Sequence, residues 1–376
     1  MHPASILSYY PTHALLDEVV SKGYNTLNLY LDLKNVLQSL YMEHSVINLI
    51  SSTEKSSYTD TSVFASLVSF ISFHKVYGAR RNIKLNVFVF FETGDSFYHK
   101  NISKKYKISR KIDQLYGLDS TKRELFFEIL HKNYQLIERA FNLVPRVKVI
   151  RLTNLEADFI PYYLITRKLV STESNVGHIL YSNDHDMLQT ISDNVFVFSK
   201  SARVKKLIKK GEVMKEYLKF DVNLDDSLFP IAMAINGCGG DDVDGVKQLG
   251  GKRISECIKE VVEMGGGIER IYSNVVAGKS LFPTELQENL NKYIVKIVSE
   301  ENISKTVSRN LKLVSFEILS RFFDEPKSTE MLDIKKVLLE TLNKNEVVTK
   351  EVLREGLERS RVLFDDDDFS NLYYGI

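Results

Sequence analysis

Cysteine is scarce in this chain of 376 residues: Cys238 and Cys257 form no CxxC pair and join no cysteine–histidine array. That count excludes a disulfide framework and argues against a zinc site, so the two thiols read as buried or half-buried groups in a reducing compartment. A surplus of one charge is missing too. The formal net charge is +1, so bulk charge announces no polyanionic partner, although a local stripe of Lys and Arg on one face would still serve one. No apolar run approaches the ~20 residues of a membrane-spanning helix. The opening MHPASILSYYPTHALL lacks the basic segment and long apolar stretch of a secretory leader. The expectation is a soluble, intracellular, monomeric chain with no membrane partner. Internal repeats are absent, and the only biased tract is the acidic run Asp365–Asp368.

What is present is ordinary in bulk and informative in position. Hydrophobic residues make up 44% and charged residues 26%, enough for a sizeable core. The length fits one large domain with appendages, or two domains. Thr26–Leu33, Lys84–Phe91, Arg146–Arg151, Gly177–Tyr181 and Asn194–Phe198 read as strands. Helical patterns lie at Val63–Tyr77, Thr121–Phe141 and Leu155–Leu169. Strands alternating with helices predict an α/β fold: a mostly parallel, twisted sheet with helices on both faces. Beyond about residue 225 the pattern turns to helices and Gly-rich turns, and residues 283–363 read as almost wholly helical. The expected division is an extension over 1–25, an α/β core over 26–225, and a helical region over 226–376.

Acids recur where the strands end. Asp32 follows the first strand, Glu92 the second, Glu156 and Asp158 the third, and Asp184 and Asp186 the fourth; Asp241 and Asp244 sit in a Gly-rich turn. Each alone reads as a helix cap or turn residue. Together they predict a cluster, because residues beyond the strand ends of an open parallel sheet gather along one edge. Eight converging carboxylates repel one another and stay ionised only beside cations. Hard divalent ions with oxygen ligands answer that need. Two of them ~4 Å apart hold the attacking and leaving oxygens of a phosphoryl displacement.

These residues also carry a family likeness. From about Leu27 to Ile258 the chain resembles the flap endonuclease superfamily, most closely its bacteriophage ribonuclease H and 5′-exonuclease branch. LNLYLDLKNVL holds the first Asp as Asp32; VFVFFETGD holds Glu92; Tyr106-Lys107-Ile108-Ser109-Arg110 matches YKxxR. NLEADF supplies the EAD signature as Glu156 and Asp158, and YSNDHDMLQ supplies Ser182, Asp184, Asp186 and Gln189. GGDDVDG matches GDxxD as Asp241 and Asp244. Four departures stand out: Glu92 replaces an Asp, Phe159 replaces the second Asp of EADD, His185 replaces the Gly of DGD, and the DNxPG sequence is reduced to Asp244-Gly245-Val246.

The resemblance implies a PIN-like 5′-nuclease core, a helical gateway near 95–120, and a helix–two-turn–helix element leading into the C-terminal helices. It implies two Mg²⁺ ions, with Mn²⁺ able to substitute. Asp184, Asp186, Asp241 and Asp244 lean toward one ion, and Asp32, Glu92, Glu156 and Asp158 toward the other. Lys107 and Arg110 would face the scissile phosphate. Lys100, Lys104, Lys105 and Tyr106 would line the path of single-stranded nucleic acid. Gly250, Gly251, Lys252 and Arg253 would hold the duplex, with K⁺ as a candidate ion there. The implied substrates are 5′-flapped or branched DNA and RNA–DNA hybrid, cut to 5′-phosphate and 3′-hydroxyl ends during replication or repair, in a host cell's cytoplasm if the chain is phage-encoded. A single-strand-binding protein, sliding clamp or polymerase is a candidate partner for the C-terminus. Two rival readings stay open: a catalytically weak branched-DNA-binding module of the same fold, and a PIN-type ribonuclease.

Overall fold

The computed structural model describes residues 13–36, 58–108, 134, 137–171, 175–200, 205–220, 222–246, 252–281, 303–343, 350–351 and 354–355. Six strands form the central sheet: β1 Thr26–Asp32, β2 Lys84–Thr93, β3 Val147–Thr153, β4 Val176–Tyr181, β5 Val195–Lys200 and β6 Lys205–Ile208. Their order is β3-β2-β1-β4-β5-β6. The first five run parallel, and β6 returns antiparallel to β5. The five parallel strands fall within a few residues of the expected segments. β6 is an addition to the expected strands, a lysine-rich edge strand.

The parallel strands are apolar because helices cover both faces. β4 is buried along its whole length, and β1 at five consecutive positions. Beneath one face, Leu27, Leu29 and Leu31 pack with Phe70 and Ile71 of helix α2 (Tyr58–Ala79) and with Leu16 and Val19 of α1 (His13–Val20). On the other face, Tyr30, Phe88 and Phe90 pack with helices that include α4 (Phe159–Thr166) and α6 (Phe229–Asn236). The same core continues through α7 (Lys252–Met264), α8 (Ile268–Val276), α9 (Ile303–Val314), α10 (Phe316–Asp324) and α11 (Thr329–Asn343). The shorter helices are α3 (Phe97–Ile102) and α5 (Val213–Leu218).

Several buried polar groups tie the elements together. His74 Nδ1 meets the Phe70 carbonyl at 2.8 Å and Nε2 meets the Tyr181 hydroxyl at 2.6 Å. A carbonyl only accepts, so the neutral ring donates through Nδ1 and accepts through Nε2. Asn310, fully buried, donates to the carbonyls of Ala234 and Asp244, both at 2.8 Å. It thereby fixes α9 to the end of α6 and to the turn that follows.

The chain leaves β1 toward β2 and β3, then comes back to β4 on the other side. This reversal between β1 and β4 opens a crevice at the strand ends, where open α/β sheets bind ligands. Among the described residues no helix is long and apolar enough to cross a membrane.

Candidate metal centre

The acids collect at that crevice. Asp32 ends β1, and its Oδ1 accepts the Asn35 N–H at 3.1 Å. Burial, with Glu92 and Asp184 nearby, pushes its carboxyl up to about 7. On the neighbouring strand, Glu92 Oε2 accepts the Ala157 N–H at 3.0 Å, and Oε1 lies 3.5 Å from Lys34 Nζ. Ala157 sits between Glu156 and Asp158, so this bond ties the acid of β2 to the pair that follows β3.

Beyond β4 a run of short-range bonds shapes the next pair. Ser182 Oγ accepts the Asp184 N–H at 3.1 Å, and Asp184 Oδ1 accepts the Asp186 N–H at 3.0 Å. Asp184 thus caps a short 3₁₀ helix, His185–Thr190, in the way side-chain acceptors cap helices. Gln189 holds that turn against the C-terminal helices: Nε2 donates to the Val314 carbonyl at 2.8 Å, and Oε1 accepts the Phe316 N–H at 3.0 Å.

The last acid comes from a tight hairpin, β7 (Gly237–Cys238) and β8 (Val243–Asp244), whose link includes a 3₁₀ turn at Gly239–Asp241. Gly237 has φ +75°, and a Cβ on it would collide with the backbone of Gly245 and Val243. A Cβ on Gly245 would strike the Asn236 carbonyl. Glycine at both places lets the two strands close. The hairpin buries Asp241 at 5% exposure and leaves Asp244 exposed on the returning strand. Cys238 Sγ donates to Asp241 Oδ2 at 3.0 Å; burial and Asp241 push its thiol up.

Lys107 reaches into the cluster. Its φ is +55°, its N–H donates to the Asp241 carbonyl at 3.0 Å, and its ammonium pairs with Glu156 and lies 3.7 Å from Asp241 Oδ1. Tyr106 is buried and donates to Glu156 Oε2 at 3.0 Å. The ring of His99 stacks on Tyr106 at 4.6 Å, with Nδ1 4.0 Å from Glu156 and 2.7 Å from Ser96 Oγ. His99 carries no motif spacing, and only the fold brings it here.

Charge follows this layout. Burial pushes the Glu156 carboxyl up, but Lys107, His99 and Tyr106 outweigh it and leave the group below its ordinary range. Burial disfavours the Lys107 ammonium, yet Glu156, Asp241 and Asp158 hold it charged. Asp158 and Asp186 go the other way: burial and neighbouring carboxylates drive both well up. Mutual repulsion links Asp32, Glu92 and Asp184; Asp158, Glu156, Asp184 and Asp186; and Asp186 with Asp241. Seven of the eight expected acids therefore share one field, with Asp244 standing exposed outside it.

The donor chemistry suits hard divalent ions. Asp158 Oδ1 is sealed from solvent and takes no hydrogen bond, a costly state that a cation would relieve. Among the described residues, no group of three or more His, Cys, Asp or Glu side chains is already drawn together as an ion would require. Lys107 stands between Glu156 and Asp241 instead, supplying the positive charge.

The departures from the family pattern find places as well. Phe159 is fully buried, with its ring 5.4 Å from Phe323, 6.4 Å from Phe316 and 5.3 Å from Tyr163. It anchors α10 beside a polar clamp in which Arg167 Nε donates to Asp324 at 2.7 Å. His185 is exposed and lines a cavity of about 360 Å³ together with Asp184, Asp186, Asp241 and Cys238.

The expected nucleic-acid contacts are described in part. Lys104 and Lys105 are exposed, Lys100 pairs with Asp95 at 2.7 Å, Arg253 is exposed, and Lys252 opens α7. Arg110, Gly250, Gly251 and the tail from 356 lie outside the described residues. Around β6, Lys206 pairs with Glu216, Lys209 with Glu18 and Lys210 with Asp193. Those lysines belong to a neutralised edge.

No protein-family model matches the chain, and no curated protein gives a significant match. Solved structures do. A bacteriophage T5 5′-exonuclease structure with bound zinc is 21% identical, with a TM-score of 0.56 over 84% of this chain and 100% of that one. A T5 flap endonuclease complex with DNA and metal ions is 20% identical, with a TM-score of 0.54 over 85% and 100%. A third T5 structure, co-crystallised with metal ions, gives 0.55 at 20% identity over 84% and 99%. At such identities the likeness establishes the fold alone: the chain shares the architecture of these T5 structures.

Proposed function

We propose that this chain is a structure-specific, metal-dependent 5′-nuclease that hydrolyses phosphodiesters in flapped or branched DNA and RNA–DNA hybrid. One observation supports this above others: acids from four separate strand ends and one hairpin share a crevice at the sheet's switch point, with Lys107 among them. Asp184, Asp186 and Asp241 would hold one ion, and Asp32, Glu92, Glu156 and Asp158 the other. Bound divalent ions, Mg²⁺ or Mn²⁺, would supply a water acidified toward neutrality and would offset phosphate charge.

The chain's own residues do the rest. Asp184 and Asp241 orient through backbone bonds and the hairpin, so the carboxylates are set before substrate arrives. Lys107, which pairs with Glu156 and lies near Asp241, would face the scissile phosphate and stabilise its developing charge when those acids hold ions instead. Lys104 and Lys105, exposed beside it, would draw the strand across the crevice. The leaving 3′ oxygen gives a 3′-hydroxyl, and the other product carries the 5′-phosphate.

The test is cleavage of a labelled 5′-flap and an RNA–DNA hybrid in Mg²⁺, Mn²⁺ or EDTA. Cleavage is expected only with the ions, and Asp186→Asn is expected to abolish it while binding persists. Wild-type turnover by that variant would refute the assignment. One structural feature favours a rival, the DNA-binding module: a buried phenylalanine, Phe159, stands where relatives carry an acid. Intact binding without cleavage at any ion concentration would establish that rival.

A further inference from the structure

The cavity that Asp184, Asp186 and Asp241 border is also lined by His185, Tyr217 and Asn236, and the acids leave those three without a task. Tyr217, on α5, is fixed from two directions. Its ring meets the fully buried ring of Phe229 edge to face, at 4.9 Å and 84°, and its hydroxyl accepts an N–H of Asn236 Nδ2 at 2.9 Å. A ring already held in this way gives up little freedom when a partner stacks on it. The His185 ring stands 6.3 Å away at 80° to it, so the two rings form a corner. Asn236 keeps its second N–H and its side-chain carbonyl oxygen for a ligand, since neither takes a partner among the described residues. The volume of about 360 Å³ lies at the lower end of the ~300–1,000 Å³ of small-molecule sites, room for one nucleoside and not for a duplex.

We propose that this corner seats one unpaired nucleobase of the strand being cut, adjoining the scissile phosphate, stacked on Tyr217 and flanked by His185 and Asn236. The proposal rests on the nuclease reading of the acids and adds what selects the substrate there. Because the acids border the same cavity, a phosphate held at them brings its own nucleoside to the rings. A base inside a duplex has both faces covered and its edge paired, so it must unpair and unstack before it can enter, whereas a flap base is already free. The seat therefore favours flapped or frayed ends over continuous duplex. Every base has a π-face, so the preference is for an open base and not for a sequence.

The probe is a 5′-flap with a methylphosphonate at the scissile linkage, which brings no charge to the acids, and 5-iodouracil at the nucleotide on one side of it or the other. Bound to the full chain and irradiated, it should crosslink to Tyr217 or His185 from one of the two positions, as located by mass spectrometry. Crosslinks to other residues only, at saturating protein, would overturn the proposal. An abasic nucleotide at that position should weaken binding about 5- to 150-fold, the scale for one base stacked on an aromatic ring, whichever base it replaces. In Tyr217→Ala and in His185→Ala much of that penalty should vanish, because the variant has already lost part of the seat. His185 is exposed, so its variant keeps the fold and the test stands even if Tyr217→Ala does not fold. A penalty undiminished in His185→Ala and Tyr217→Ala, or absent in the parent, would overturn the proposal. Excess adenosine monophosphate should leave the crosslink in place; its loss would assign the seat to a free nucleotide instead. Cleavage of an ordinary flap in Mg²⁺ separates the two claims. Crosslink and penalty without cleavage count against the nuclease reading alone, and cleavage with neither counts against the base seat alone.

Discussion

Replacing Asp32 with Asn should stabilise the metal-free protein, an unusual sign for a change at a half-buried strand end. Asn keeps the acceptor for the Asn35 N–H, which now lies 3.1 Å from Asp32 Oδ1, and removes the charge that Glu92 and Asp184 repel. Folding raises this carboxyl from 3.8 to about 7. The folded chain therefore binds more protons than the unfolded one between those values, and stability falls as pH rises through that window. At 1.36 kcal/mol per pH unit the full cost above pH 7 is about 4 kcal/mol. Asp32 is only half-buried, and solvent screening brings the expected gain for Asp32→Asn nearer to about 2 kcal/mol at pH 8. The gap should close toward pH 4, where the native carboxyl of the parent is protonated. The chain has no tryptophan, so urea unfolding is followed by far-ultraviolet circular dichroism in EDTA at several pH values. Adding Mg²⁺ should stabilise the parent by mass action and the variant less. A variant no more stable than the parent at pH 8 in EDTA, or a gap that ignores pH, would refute the reasoning.

Acid should loosen the core for a separate reason. Burial lowers His74 and His178 to about 4, so the unfolded chain binds the extra protons between that value and 6.5, and stability falls as pH drops through this window by up to about 3 kcal/mol for each ring. Urea midpoints at pH 7 and 4.5 measure it, and His74→Gln should flatten the slope. Phe159→Asp, which restores the family's acid in name, should unfold the chain or cost at least about 4 kcal/mol, because it empties an aromatic site and buries a charge; thermal unfolding decides, and a well-folded, more active variant would count against the packing role. Lys107→Met should lower single-turnover cleavage about 10²- to 10³-fold, the scale for losing one preorganised charge donor, while Mn²⁺ binding survives; unchanged cleavage would remove Lys107 from the chemistry.

The parallel sheet was legible because strands covered on both faces must be apolar throughout, as KLNVFVFF and GHILY are. Strand-end acids were legible because sheet topology places them together whatever the helices do. The strand at 205–208 was not legible, for lysine on an edge strand protects the sheet from further pairing and hides its period. The hairpin was harder. Which acids of GGDDVDG face inward depends on the close approach of Gly237 and Gly245, and spacing alone treats Asp241 and Asp244 alike. His99 and Cys238 were silent for the same reason, since their neighbours come from distant segments. Phe159 read as a missing acid, yet its surroundings are the rings of α10.

Soaking crystals of the full chain in Mn²⁺ and locating the ions by anomalous scattering tests the central claim most directly. The account predicts two peaks about 4 Å apart, one against Asp186 and Asp241 and the other against Asp32 and Asp158, with the Lys107 ammonium displaced from Glu156. Peaks elsewhere, or none in this crevice at saturating Mn²⁺, would contradict it.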